Sequence, residues 1–264
     1  MTSLLSIEWL KIRKYRTTWV ILGLFAGLLT LLNYGIIHGF IRAGGNNINI
    51  LSQSYAFPHV WDNICYYTSN LVLFPAILMI IFTTNEYQYR TNRQNIIDGW
   101  KRLQFFHAKW LMVLSLSILT TIIAFILGLA FGYAESGSFT GAMNNTVKLA
   151  YLFILCINYY SFALLLSVLV KRSGLTIGLF LLYCLLIEFI LHMYFNYGLH
   201  NETLNLFLPL QCSDNLLPFP LAKMASQLVG LSAEPPAYQY ILASCCWIII
   251  YYIIGRIRLL KSDW

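Results

Sequence analysis

Charge is the scarcest property of this sequence. Only 10% of its 264 residues are Asp, Glu, Lys or Arg, against about 25% in ordinary soluble domains. With 59% hydrophobic residues and a mean hydropathy of +0.67, a water-soluble fold would leave large apolar surfaces bare. The solvent is therefore lipid. Other absences narrow the chemistry. No GxxxxGK[ST] occurs, so the chain cannot hold a nucleotide in a P-loop. There is no HExxH, and no pair of histidines stands at metal-ligand spacing with a carboxylate, so no metal is expected. No GxSG serine motif appears, and NEYQYR lacks the paired glutamates of an intramembrane prenyl-protein protease. Six cysteines are present but none forms a CxxC pair, which leaves neither a zinc site nor a disulfide framework. No short apolar segment leads to a small-residue cleavage site, so no removable signal peptide is expected.

What the sequence has in abundance is long apolar runs. A spanning helix needs about 20 mostly apolar residues. Six stretches meet that, at 18–40, 65–83, 110–133, 149–170, 175–194 and 240–257. Pro75 predicts a kink in the second. Only Lys171 to Gly174 separate the fourth and fifth, so those two are expected to form a tight antiparallel pair. The fold class is thus an all-α integral membrane protein, a single transmembrane domain of six helices.

The few charges are placed unevenly. Fourteen of the 17 lysines and arginines lie in the N-terminus, the second loop, the fourth loop and the C-terminus; only Arg42, Lys148 and Lys223 fall on the other side. Positive residues favour the cytoplasmic face, so both termini are expected there. The formal net charge of +7 reads as a topology signal, and no nucleic-acid partner is expected. Residues 1–17 carry Trp9, Lys11 and Arg13 on a moderately amphipathic segment, with Leu5, Trp9 and Ile12 on one face. This predicts an elbow helix lying in the membrane interface. At the opposite side, residues 195–237 combine five prolines with apolar runs. Too broken to span and too apolar to be a free loop, they predict short re-entrant helices at the outer leaflet.

Two places could carry function. Within the spans Glu188 is the one carboxylate, and His192 stands one helical turn beyond it. The pair could couple protons or meet a polar substrate group, or Glu188 could be a packing device bonded to a neighbouring helix. Asn33 and His38, and Asn158 with Tyr159 and Tyr160, could line a polar path, but interhelical hydrogen bonding accounts for them as well. The second place is Thr84–Trp110, between the second and third spans, with seven charged residues in 27 positions. Ile96, Trp100 and Leu103 share a helical face, interrupted by the turn-prone pair Asp98-Gly99. A short helix over 91–97, a turn, and a lead-in to the next span is the expected form.

At these residues the sequence resembles the ABC-2 family of transporter permeases over nearly its whole length. The features shared are the basic aromatic elbow from Glu8 through Trp19, six spans with both ends inside, and an E-x4-T-x-R stretch made of Glu86, Thr91 and Arg93. Arg102 and Lys109 follow at the entry to the third span, and the broken apolar region before the last span completes the order. The RQNIIDG form is similar to permeases of the Bacteroidetes group. One departure is Tyr89-Arg90, where many relatives have a glycine before the threonine.

The resemblance implies a half-transporter of the bacterial inner membrane, paired with a second permease copy in a homodimer or heterodimer. Segment 84–109 would act as the coupling segment, with Thr91, Arg93, Gln94, Asn95 and Asp98 contacting an ATP-binding cassette ATPase and Glu86 fixing the base of the second span. The chain itself would be no enzyme and hold no cofactor; ATP and magnesium would sit on the ATPase. Membrane lipid is a further partner. Aromatic richness (16%) and an apolar interior suit export of a lipid, a hydrophobic peptide or a drug-like molecule. The alternative is a non-transporting scaffold that recruits a cytoplasmic protein through the same loop.

Overall fold

The computed structural model of the chain describes residues 13, 15–38, 55–91, 94, 102–195, 206–220 and 236–261. Among these the regular structure is helical, with no strand. Six helical stretches are long and apolar enough to cross a membrane. The first is α1 (Arg16–Ile37). The second is made of α2 (Val60–Leu71) and α3 (Leu73–Gln88). Next come α4 (Arg102–Ser136) and α5 (Val147–Val170). The fifth crossing joins α6 (Ser173–Leu182) to α7 (Glu188–Met193) through a π-helical turn, Tyr183–Ile187. A four-residue helix, α8 (Gln211–Asp214), precedes the last span, α9 (Ala237–Lys261).

The second crossing breaks at Val72, three residues before Pro75. Proline has no N–H to give and its ring collides with the carbonyl four residues back, here that of Leu71. The backbone adjusts with a tighter turn in which the Val72 N–H reaches Ser69 O at 3.3 Å. The helix also starts earlier and ends later than the apolar run: it takes in Val60–Asn63 at one end and Thr84–Gln88 at the other. The third span likewise outruns its apolar core. Its 35 residues make about 52 Å at 1.5 Å per residue, against a hydrocarbon layer of about 30 Å. The segment Arg102–Lys109, expected as a lead-in, is the first two turns of this helix.

Helix α5 is the hub. Its apolar residues run around the whole circumference, the pattern of a buried helix, and 67% of its most apolar stretch is buried. It packs against α2, α3, α4, α6, α8 and α9. The fifth crossing is its opposite, with only 17% of its stretch buried and an open face that includes Leu179, Leu186 and Ile190.

Close helix approach depends on two glycines of α4. A Cβ on Gly128 would meet the Trp61 ring at 2.4 Å, and one on Gly132 would meet the Phe57 ring at 2.4 Å. Trp61 is fully buried there, stacked on Phe125, with its Nε1–H donated to Ala142 O at 2.9 Å. At the same end Asp62 in the first turn of α2 accepts from Asn145 Nδ2 at 2.8 Å and lies 3.4 Å from Lys148 Nζ. Lys148, one of the three cations expected outside, is thus held against a carboxylate. Tyr55, ahead of α2, donates to Asn33 Oδ1 of α1 at 2.7 Å, and burial pushes its phenol above the ordinary range, so it stays a neutral donor.

Candidate functional site

The stretch between the second and third spans leaves the bundle from a tightly built base. Helix α3 delivers Glu86, Tyr87 and Gln88 in its last turn, and α4 delivers Arg102, Phe105 and Lys109 in its first two. Glu86 and Lys109 meet there. Lys109 Nζ stands 2.8 Å from Glu86 Oε1, with side chains 1% and 8% exposed respectively. The same ammonium lies 5.3 Å from the Phe105 ring centre and donates to Met112 Sδ at 3.7 Å. A buried ion pair is secure only when its geometry is good and both members are otherwise satisfied. This one ties the two helix ends that the polar segment connects.

Neighbouring contacts extend the base. Tyr87 packs edge-on to Phe105 at 6.3 Å, and Lys171, in the short connection between the fourth and fifth spans, lies 5.4 Å over the Tyr87 ring. Arg102 Nη1 donates to Leu260 O at 3.0 Å, which joins the start of α4 to the end of α9. His107 and Tyr252 make a second link between those helices at 3.0 Å. Asn85 Nδ2 donates to Tyr15 Oη at 2.8 Å, bringing in the approach to α1. The approach to the first span, the connection after the fourth and the end of the sixth therefore all reach this face through a polar or aromatic contact near the segment.

Of the expected contact residues, Thr91 and Gln94 lie within the described residues. Both are helical; Thr91 is half-buried with its hydroxyl 3.5 Å from Glu86 O, and Gln94 is exposed. Arg93, Asn95 and Asp98 lie outside the described residues, as do Trp9 and Lys11 of the elbow. Arg13 is described, helical and exposed, and its carbonyl accepts from Trp19 Nε1 at 3.2 Å. Arg90 adopts φ +56°. That is the left-handed region glycine enters freely and other residues enter at a cost. Arg90, the position at which the resemblance leads one to expect glycine, thus has a backbone conformation that suits glycine.

The second candidate, around Glu188, is a built polar cluster. Glu188 Oε1 accepts the backbone N–H groups of Leu210 and Gln211, both at 2.7 Å. A carboxylate at a helix start satisfies otherwise orphaned donors, and here it anchors α8 to the fifth span. Asn158 Nδ2 donates to Pro209 O at 2.9 Å and to Ser213 Oγ at 3.1 Å, and Tyr159 Oη donates to the Asp214 carboxylate at 2.9–3.0 Å. Asn158 lies 11 residues into α5, so the α8 segment descends to a depth of about 16 Å. This part of 195–237 is packed into the bundle, with Leu208, Leu210, Cys212, Leu216 and Leu217 buried. The π-helical turn before Glu188 is a feature of the structure alone. Its wider winding re-aims the helical turn after it, and Glu188 is the one buried residue of α7, while Phe189 and Ile190 are exposed. His192 sits one turn on, half-exposed.

Most of the polar residues considered for a path are taken up by bonds within the bundle, while His38 is exposed and lies against the Tyr34 ring. Asn33 is taken by Tyr55 and by Leu29 O, and Tyr160 Oη lies 2.8 Å from Thr120 Oγ1. Among the described residues no group of three or more His, Cys, Asp and Glu could hold a metal.

A family model described as "ABC-2 family transporter protein" matches residues 4–203. No curated protein matches the chain. The match covers all but the first three residues of the N-terminal segment, the first five spans and the segment between the second and third. With six membrane-crossing helices, this chain belongs to the ABC-2 transporter family and is a multi-pass membrane component of an ABC transporter.

Proposed function

We propose that this chain is the permease half of an ATP-driven exporter of the bacterial inner membrane, working as one of two permease copies. Each copy takes a separate ATP-binding cassette subunit against its 91–98 segment. The observation that carries this reading is the buried Glu86–Lys109 pair at 2.8 Å. A docked partner must move spans, and a mobile loop would absorb the displacement. Here the two ends of the segment are clamped together and braced to α9 through Arg102. A push on the segment is therefore passed to the second, third and sixth spans as a unit.

In this reading Thr91, Arg93, Gln94, Asn95 and Asp98 meet the ATPase, and Trp9, Lys11 and Arg13 hold the elbow at the interface. ATP and magnesium stay on the partner. Transport is a two-state shift of the bundle, driven by the partner's different affinity for the two states. The apolar interior favours a lipid, hydrophobic peptide or drug-like substrate moving outward.

The test is recovery of the full chain from its native membranes in mild detergent, with its partners identified. A stoichiometric partner carrying a P-loop, lost on Arg93→Ala with Asn95→Ala, is the expected result. A homodimer without ATPase, under conditions that keep other transporters intact, would overturn the exporter in favour of a membrane scaffold.

A further inference from the structure

A cavity of about 580 Å³ lies between α1, α3 and α4, in the half of the bundle nearest the basic face. That size falls within the roughly 300–1,000 Å³ of sites that enclose a small ligand. Its floor is Thr18, Met79 and Met112, all buried, and its rim is Trp19, Ile118 and Ile122, all exposed. Helices α1 and α4 barely touch; each leans on the second crossing instead. Gly23 lines the space between them, and a side chain built there would meet nothing within 4 Å.

We propose that this cavity holds one acyl chain of an anionic phospholipid from the basic-side leaflet, with the headgroup at Arg13 and Arg16. Three observations converge. The lining is aliphatic and aromatic, so water gains nothing by entering, and leaving it empty forfeits the dispersion contacts of its walls. Thr18 Oγ1 is buried and has no hydrogen-bond partner among the described residues, whereas Ser115, the other lining hydroxyl, is bonded to Met112 O at 3.0 Å. An unmet buried hydroxyl is costly, and a glycerol ester carbonyl at the top of an acyl chain would satisfy it. Arg13 and Arg16 are exposed at the same end, in no ion pair among the described residues. Basic residues there attract anionic lipid.

The arginines also argue against a second copy in this place. A two-fold interface puts the same patch of both subunits face to face, which would gather the exposed arginines of both copies into one contact. The site needs no ATPase, and its lining shares no residue with the 91–98 segment.

The experiment reconstitutes the full chain in phosphatidylcholine vesicles containing phosphatidylglycerol with a diazirine on its acyl chain. After illumination, adducts are mapped by peptide mass spectrometry. Labelling is expected to concentrate on Trp19, Met79, Met112 and Ile122 relative to Ile190 on the open face of the fifth crossing. Gly23→Leu, which fills the space from α1, should lower it several-fold while labelling at Ile190 persists. Ile122→Trp fills the space from α4 and should do the same, which covers the case in which one variant fails to fold. Replacing Arg13 and Arg16 by Gln should abolish the preference for the phosphatidylglycerol probe over a phosphatidylcholine one. Labelling equal at the cavity and at Ile190, or unmoved by both filling variants, would overturn the proposal. So would an intermolecular disulfide formed through Trp19→Cys and Ile122→Cys, which would give the cavity to a second copy.

Discussion

Individual side chains carry most of the specificity of this molecule, because its bulk is interchangeable hydrocarbon. Glu86 and Lys109 are the clearest case. Removing one member strands a buried charge, which costs about 3–5 kcal/mol, whereas replacing both with apolar residues of similar volume is often nearly neutral. Lys109→Met alone is therefore expected to destabilise strongly, and Glu86→Leu with Lys109→Met to recover most of the loss. Thermal unfolding of the two single variants and the double in detergent gives the coupling directly; strictly additive losses would dismiss the pair as a clamp. Arg90 gives a smaller effect whose sign depends on the replacement. At φ +56° a β-branched residue is a genuine outlier, so Arg90→Val should lose about 1–2 kcal/mol. Arg90→Gly should be neutral or slightly stabilising in the same assay. Glu188 acts through two backbone donors. Glu188→Leu leaves both unmet at about 1–3 kcal/mol each, while Glu188→Gln keeps a carbonyl acceptor and should lose less. Proteolysis of the α8 segment under native conditions reports that difference. Equal sensitivity of the two variants would mean that Glu188 does not hold the segment.

At the scale of elements, the apolar runs made the spans legible and the polar ends hid their true length. The six crossings follow from composition, since lipid forces every backbone donor into a helix. Their limits do not, because α3 and α4 continue beyond the apolar runs once Glu86 has Lys109 to meet and Arg102 has Leu260 O. Pro75 announced a distortion in the second crossing, and the break lies where the proline ring meets the preceding turn. The π-helical turn at Tyr183–Ile187 has no comparable mark. Its residues are ordinary Leu, Ile, Cys and Tyr, and the extra residue is justified only by the buried position it gives Glu188. The segment that carries α8 was legible as an interruption, prolines among apolar runs, but its partners Asn158, Tyr159 and Glu188 come from two other spans.

For the whole molecule, orientation rests on the distribution of Lys and Arg. Fourteen of these residues on one side and three on the other predict that the turn around Gly141, between α4 and α5, faces outward with Lys148. In a chain whose native cysteines have been replaced, Gly141→Cys should react with a membrane-impermeant maleimide added to intact cells. Gln94→Cys should react only after permeabilisation. The reverse pattern would invert the molecule and remove the 91–98 segment from any cytoplasmic partner.

The sequence alone determined that the chain lives in lipid, crosses it six times, and sets most of its lysines and arginines on one side, with a charge-rich segment between the second and third spans. Those facts follow from composition and from the placement of charge, which act locally and need no folded partner. The same local logic marked Glu188 as a residue out of place in hydrocarbon, while Glu86 and Thr91 stood out through the family resemblance. Only the tertiary structure decided what answers them. Lys109 is 23 positions from Glu86, Leu210 is 22 from Glu188, and no periodicity links either pair. The cavity beside Gly23 is less legible still, since it arises where α1 and α4 fail to meet. A gap between helices is a property of how three of them lean together, and no single helix carries its signature.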